Sequence, residues 1–398
     1  MMYTSTLLAL LPLALAAPAP AGPLDRRAPI IQPRGAEIIP GKYIVKLKDG
    51  SNNAALDKAI ALLTKTKAKY VYSNDKFKGF ASDLDDLTLD ILRKLPQVEY
   101  IEEDAVFNIN AYVTQSSAPW GLARLSSKTP GKTTYTRDST DGAGTCSYVI
   151  DTGIYTAHSQ FGGRATHLAN YAGDGSTADG NGHGTHVAGT IGGSTYGVAK
   201  KTKLYAVKVL NAQGSGSNSG VIAGMNFVVN DVKTRSCPNG TVVNMSLGGG
   251  FSSSTNNAAK AIVNAGIFLA VAAGNDNRDA ANYSPASEPT ACTVGSSTSA
   301  DAKSSFSNYG SLVDVFAPGT SILSAWIGST SASNTISGTS MASPHIAGLA
   351  AYLLGLQGPK TPAALCAYIQ STANTGKLTG LPSGTGNRLA FNGNPSAT

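Results

Sequence analysis

Three short segments carry side chains that together could hydrolyse an acyl bond. The first is Ser147-Tyr148-Val149-Ile150-Asp151-Thr152-Gly153, an apolar run ending in a carboxylate and a Thr-Gly turn. The second is Asp179-Gly180-Asn181-Gly182-His183-Gly184-Thr185-His186-Val187-Ala188-Gly189, a glycine-rich turn feeding a small-residue helix with His183 in its first turn. The third is Ser337-Gly338-Thr339-Ser340-Met341-Ala342-Ser343-Pro344-His345, which leads into the apolar helix IAGLAAYLLGL. A serine hydroxyl is a weak nucleophile until a base takes its proton, and an imidazole does so best when a carboxylate holds it in one tautomer. Asp151, His183 and Ser340 supply those three groups.

Each segment alone is a weak signal. An Asp after a strand usually caps a turn, and a Gly-x-Ser serine is often only a helix cap. His183 and His186 at i and i+3 could suggest a metal, but Gly184 stands where an HExxH zinc site carries its glutamate. His186 therefore reads as a packed helix residue. An α/β-hydrolase elbow needs Gly-x-Ser-x-Gly, and Ala342 occupies the final glycine position. Pro344 suits a first helical turn, which puts Ser340 at a helix N-terminus, where free amides favour a developing negative charge. Val271-Ala272-Ala273-Gly274-Asn275-Asp276 ends a buried strand in Asn275, whose side-chain amide could donate to an oxyanion beside the Ser340 N–H. Asn244-Met245-Ser246-Leu247-Gly248-Gly249-Gly250 ends another strand in glycines, leaving an edge that could pair with an extended peptide.

The elements that must hold these residues divide into two units. Of 398 residues, the first 110 hold 14 Lys+Arg, 13 Asp+Glu and 5 Gly. The remaining 288 hold 17, 11 and 39, so charge falls and glycine rises near residue 110. Within the first unit, alternating Lys42–Lys48, helical 53–66, a strand at Phe77–Ser82, a helix at Leu87–Leu95 and a strand at Val98–Ile101 suggest a split βαβ sandwich. Room remains for a strand near Tyr70–Tyr72. This unit has no His and no Cys, so it reads as an accessory module, or as a propeptide that folds against the main body and is removed. Residues 1–17 read as a secretory signal peptide, with a short apolar stretch before Ala14-Leu15-Ala16. Four cysteines, all in the second unit and without a CxxC pair, favour two disulfides in an exported protein. Three pairings are open from sequence alone. Formal net charge is +7 with no basic block, so a nucleic-acid partner is not expected. The single long apolar run is too short to span a membrane.

The motifs taken in order resemble the secreted subtilisin-like serine proteases (subtilases) of the proteinase K type, as made by filamentous fungi. The resemblance covers nearly everything after residue 17: YVIDTGI, DGNGHGTHVAGTI, YGVAKK, NMSLGGG, VAAGN, NYSPASEP, SSFSNYGSLVDVFAPGTSI and ISGTSMASPH. It implies an α/β fold with a mostly parallel sheet and helices on both faces, preceded by a small α+β ferredoxin-like propeptide. Residues 18–110 are similar to the family's inhibitor and chaperone propeptide, residues 111–398 to its peptidase domain, and the cut should fall near Asn110–Val113. Asp151, His183 and Ser340 match the triad and Asn275 the oxyanion donor. Gly214, Ser215 and Gly216, with Ser246, Leu247 and Gly248, match the strands that sandwich the substrate backbone. Ala272 and Gly274 match the pocket floor, which implies cleavage after aromatic or aliphatic residues.

The same resemblance pairs Cys146 with Cys237 and Cys292 with Cys366, and Val187 replaces a free thiol. It also implies one structural Ca²⁺ held by Pro289, Ala291 and Asp314. A second family site has Lys377 where it needs an Asp, so it is expected to be lost. Asn218 replaces an aromatic at the pocket rim. The expected partners are protein substrates and the chain's own propeptide, with no nucleic acid and no membrane, and the chain should be a monomer outside the cell. Three glycosylation sequons occur, at Asn239, Asn244 and Asn282; Asn239 is the favoured acceptor and Asn244 is expected to be buried.

Overall fold

The computed structural model describes residues 27–33, 38–74, 76–106 and 112–398. The signal-peptide stretch and residues 110–111 of the expected propeptide cut lie outside them. The chain divides between Val106 and Phe107 into two compact units.

The N-terminal unit is a five-stranded sheet with two helices. In spatial order the strands are Ile30–Ile31, Val98–Ala105, Ile38–Leu47, Phe77–Asp83 and Tyr70–Asn74. Alternation in Ile38–Leu47 places Val45 and Leu47 in a core with Phe80, Ile101, Leu56 and Leu92. Its helices start at side-chain caps: Asn52 Oδ1 accepts from Ala55 N at 2.9 Å and Asp85 Oδ1 from Thr88 N at 2.8 Å. The first helix ends at Ile60, six residues short of the expected end at residue 66. Thr66 instead gives its hydroxyl to Asp83 O at 2.9 Å, which draws the segment onto the sheet. The edge strand Ile30–Ile31 has only two residues, too few for periodicity to reveal.

The C-terminal unit is built on a nine-stranded sheet. Its strands run, in spatial order, Asn374–Thr375, Arg388–Leu389, Val315–Pro318, Cys292–Ser297, Phe268–Ala272, Gly240–Met245, Thr145–Asp151, Lys203–Lys208 and Ala165–Asn170. All neighbours are parallel except the first pair. Because strand side chains alternate between faces, the apolar runs feed two cores. Val149, Ala206, Val242 and Ala270 face a core with helices His183–Gly192 and Thr339–Gln357. Tyr148, Ile150, Val207, Val243 and Val271 face the other, with helices Asn218–Asp231 and Ser253–Asn264. Helix Thr339–Gln357 is buried from Met341 to Leu354, as an all-round apolar sequence requires. Cys146 is bonded to Cys237 and Cys292 to Cys366, across 91 and 74 residues. Among the described residues, no helix is long and apolar enough to cross a membrane.

Candidate active site

In an open parallel sheet, chemistry gathers at the carboxyl ends of the strands. Asp151 closes the fully buried strand Thr145–Asp151 and is itself 0% exposed. His183 is the first residue of its helix, after Gly182, whose φ of +100° only glycine adopts readily. The two meet through His183 Nδ1 and Asp151 Oδ1 at 2.7 Å. The same oxygen accepts the Thr152 N–H at 2.7 Å. A Cβ on Gly184 would stand 2.0 Å from Gly153 O, so the carboxylate and imidazole segments touch backbone to backbone. Burial disfavours the imidazolium, but the Asp151 carboxylate, with Asp179 beyond it, outweighs that and raises the His183 pKa above its usual 6.5.

Ser340 is the second residue of helix Thr339–Gln357. The helix starts earlier than expected, so Pro344 sits inside it, in the second turn rather than the first. Proline has no N–H to give to the carbonyl four residues back, and that carbonyl belongs to Ser340. Ser246 Oγ donates to it instead, at 2.7 Å. Ser340 Oγ in turn donates to Ser246 O at 3.1 Å. Two bonds thus tie the serine to the glycine-rich strand end. The hydroxyl lines the same cleft as the imidazole, but its hydrogen bond goes to Ser246 O and not to His183; unliganded sites commonly show such loose geometry.

Asn275 lies just past strand Phe268–Ala272. Its Oδ1 accepts from Thr339 N at 2.8 Å and Thr339 Oγ1 at 2.9 Å. This aims Nδ2 the other way, and Nδ2 donates to no protein group among the described residues. A Cβ on Gly338 would stand 3.5 Å from Ser340 N and 3.7 Å from Asn275 Nδ2, so the two donors flank one spot and could together hold an oxyanion. The cleft has a volume of about 500 Å³. Its walls include His183, Asn275 and Ser340, together with Gly214, Ser215, Gly216, Ser246, Leu247, Gly248 and Asn218. An adjoining pocket of about 440 Å³ is lined by Ala272, Gly274, Leu247, Gly248, Asp276 and Tyr283, together with Asn275 and Ser340. Gly249–Gly250 has one edge already paired antiparallel with Tyr283–Ser284, which leaves a single edge for a peptide.

This geometry has close counterparts. Residues 142–387 match the model of the subtilase family, and residues 42–110 that of peptidase inhibitor I9. The chain belongs to the subtilase family. It is 61% identical to the subtilisin-like serine protease AsES of Sarocladium strictum, over 99% of this chain and all of that one. It is 58% identical to a cuticle-degrading protease of Metarhizium anisopliae, over 98% and 100%. It is 56% identical to proteinase R of Parengyodontium album, over 98% and 99%. The crystal structure of a cold-adapted subtilisin-like serine proteinase superposes with a TM-score of 0.66 at 46% identity, covering 70% of this chain and 99% of that one. This subtilase is accordingly a serine endopeptidase of subtilisin-like fold with an I9-type propeptide.

The remaining site residues of the subtilase follow its topology. Asp314 is half-buried and forms no ion pair among the described residues. It accepts from Thr293 N at 2.8 Å and Gln370 Nε2 at 3.1 Å. Burial pushes its pKa up to about 6, against the Thr293 amide, Arg388 and Gln370. The Thr293 bond holds it against the start of strand Cys292–Ser297. The sulfurs of Cys292 and Cys366 lie within 4.8 Å of its carboxylate but are bonded to each other, so neither is a thiolate ligand. Pro289 is exposed and Ala291 buried. Asn244 is fully buried. Asn239, the favoured sequon in sequence, spends its Nδ2 on Ala143 O at 2.9 Å and packs against Gly144, whereas Asn282 is exposed. Sequence reasoning gave no role to Asp179, Lys208 and Thr339, which hold the reacting groups.

Proposed function

We propose that the chain is a secreted, self-processing zymogen whose peptidase cleaves peptide bonds broadly after aromatic or aliphatic residues. The observation that carries this is the 2.7 Å Asp151–His183 pair opening on one cleft with Ser340 and Asn275. An extended substrate lies between the 214–216 and 246–248 segments. His183 Nε2 takes the Ser340 proton as Oγ adds to the scissile carbonyl. The Ser340 N–H and Asn275 Nδ2 receive the oxyanion, and Asp151 stabilises the imidazolium. His183 then protonates the leaving amine, and water repeats the sequence on the acyl-enzyme. The base form of His183 is required, and its raised pKa places the acid limb of kcat/KM above pH 6.5. Activity therefore climbs through neutral pH into the alkaline range.

The pocket behind Ser340 has Ala272 and Gly274 on its wall and no cation to bind an acidic side chain. Peptide anilides with Phe or Leu before the scissile bond should be cleaved with kcat/KM at least about 10-fold above those with Glu, since a desolvated carboxylate with no cation to meet it, and with Asp276 on the wall, costs more than about 1.4 kcal/mol. Equal rates across the three would overturn the apolar-pocket reading.

A structural Ca²⁺ belongs to the same proposal. Asp314 supplies a hard, half-buried carboxylate that forms no ion pair with a side chain among the described residues, Arg388 acting on it only from a distance, and the carbonyl oxygens of Pro289 and Ala291 would complete the donor set. The ion would brace the strand that begins at Cys292 and take no part in the chemistry. At about 100-fold excess over Kd, Ca²⁺ should raise the melting temperature by about 5–10 °C. The rise should vanish in Asp314→Asn. An identical Ca²⁺ response in that variant would remove Asp314 from the site.

A further inference from the structure

Asp179 is 6% exposed and lies outside the substrate cleft, yet it is among the most heavily bonded carboxylates of the unit. Its Oδ1 accepts from Thr152 Oγ1 at 2.8 Å, Gly182 N at 2.9 Å and Asn181 N at 3.1 Å. Its Oδ2 accepts from Thr185 N at 2.9 Å and Thr185 Oγ1 at 2.6 Å. These donors flank His183 on both sides. Thr152 is the residue after Asp151, and its hydroxyl also accepts Gly184 N at 2.9 Å. A single buried carboxylate therefore grips both the segment that carries the imidazole and the segment that carries its carboxylate partner.

The grip is closed from the other side. Lys208 is fully buried and ends the strand paired with Asp151. Its ammonium donates to Thr152 O at 3.0 Å and Leu210 O at 2.6 Å, and pairs with Asp174 at 3.0 Å. Thr152 is thus held by hydroxyl and carbonyl between two buried ions of opposite sign. The backbones of the two segments are in direct contact at Gly153 and Gly184, so little can shift without moving the Asp151–His183 bond.

We propose that Asp179, acting through Thr152 and the amides of residues 181–185, is the positioning residue that sets where His183 stands relative to Asp151 and Ser340. Asp179 touches neither substrate nor the reacting atoms. Its effect falls on kcat, because the substrate-binding segments 214–216 and 246–248 are not bonded to it. The inference rests on the proposed roles of Asp151, His183 and Ser340, and active-site titration of the wild-type enzyme with a fluorophosphonate tests those roles separately.

The test compares Asp179→Asn, Thr152→Val and Thr152→Ser, each expressed as the full chain and titrated for active sites. The substrate is one peptide anilide followed from pH 5 to 10. Charged and titratable groups around His183 are Asp151 on the strand, Asp179 on the preceding turn, His186 on its own helix and Lys208 behind Thr152. Asp179→Asn removes one negative charge facing His183 and turns an acceptor into a donor against the amides. A displacement approaching 1 Å costs about 100-fold, so kcat should fall about 10–100-fold with KM within about twofold. The acid limb should move to lower pH. Thr152→Val keeps the carboxylate and its bonds to residues 181–185, so it carries the test if Asp179→Asn does not mature. It should lose about 10-fold in kcat, and Thr152→Ser should restore it. A Thr152→Val enzyme within twofold of wild type would overturn the proposal. So would an Asp179→Asn enzyme whose loss lies in KM with an unmoved acid limb.

Discussion

Ser340→Ala should leave the chain as an uncleaved precursor. The substitution removes the single atom that bonds to the acyl group and disturbs little else, because the Ser340 carbonyl still accepts from Ser246. His183 and Asp151 then have no proton to relay. The expected loss in kcat is roughly 10⁶-fold, a figure that comes from subtilisin itself, a member of this family. What survives is the contribution of the cleft and the two oxyanion donors. On a denaturing gel the variant should run as one band spanning both units, while wild type should release the I9-type segment, which ends near residue 110. Added wild-type protease should cut the variant at the same place, which separates failed chemistry from failed folding. Release of the propeptide by the purified variant alone would exclude Ser340 as the nucleophile.

Asn275→Leu should show the loss of an oxyanion donor as a fall in kcat. Asn275 Oδ1 holds the Thr339 amide and hydroxyl, and Nδ2 is the half aimed at the reacting centre. Leucine keeps the volume and deletes both. The Ser340 N–H remains, so one of two donors is lost at the point where charge develops. Such a deletion costs about 10²–10³ in kcat, again a magnitude measured in subtilisin. KM should change little, because the donor acts on the transition state more than on the bound peptide. Thr339→Val, which removes only the hydroxyl that steadies Asn275, should show a smaller loss of the same kind. A variant in which KM rises and kcat stays would place Asn275 in ground-state binding instead.

Much of the architecture could be read from one chain because burial imposes strict patterns. Strands covered on both faces read as continuous apolar runs, so Tyr148–Ile150 and Val271–Ala273 are legible as strand ends and the residues just beyond them as candidates. Chemistry was legible where a residue type has few uses in context: an Asp after a buried strand, a His in a glycine-rich helix start, a Ser at another. Positions depending on neighbours distant in sequence were not. The helix of Ser340 begins at Thr339 because Ser246, far away along the chain, can satisfy the carbonyl that Pro344 leaves open. The first helix of the N-terminal unit stops at Ile60 because Thr66 has a partner in Asp83. Asn239 sits in a Pro-Asn-Gly turn that suggests exposure, yet its amide is committed to Ala143. Asp179 appeared only as the first letter of a motif, and Lys208 as an ordinary strand lysine, since nothing local reveals that both close on Thr152.

The most direct measurement is to label the mature enzyme with a fluorophosphonate and locate the adduct by mass spectrometry, alongside His183→Ala and Asp151→Asn. A serine whose proton is taken by a carboxylate-held imidazole should be modified rapidly and stoichiometrically at Ser340. Labelling should slow by orders of magnitude in both variants and should follow the His183 acid limb above pH 6.5. An adduct on another serine, or equal labelling rates in wild type and His183→Ala, would contradict the catalytic assembly.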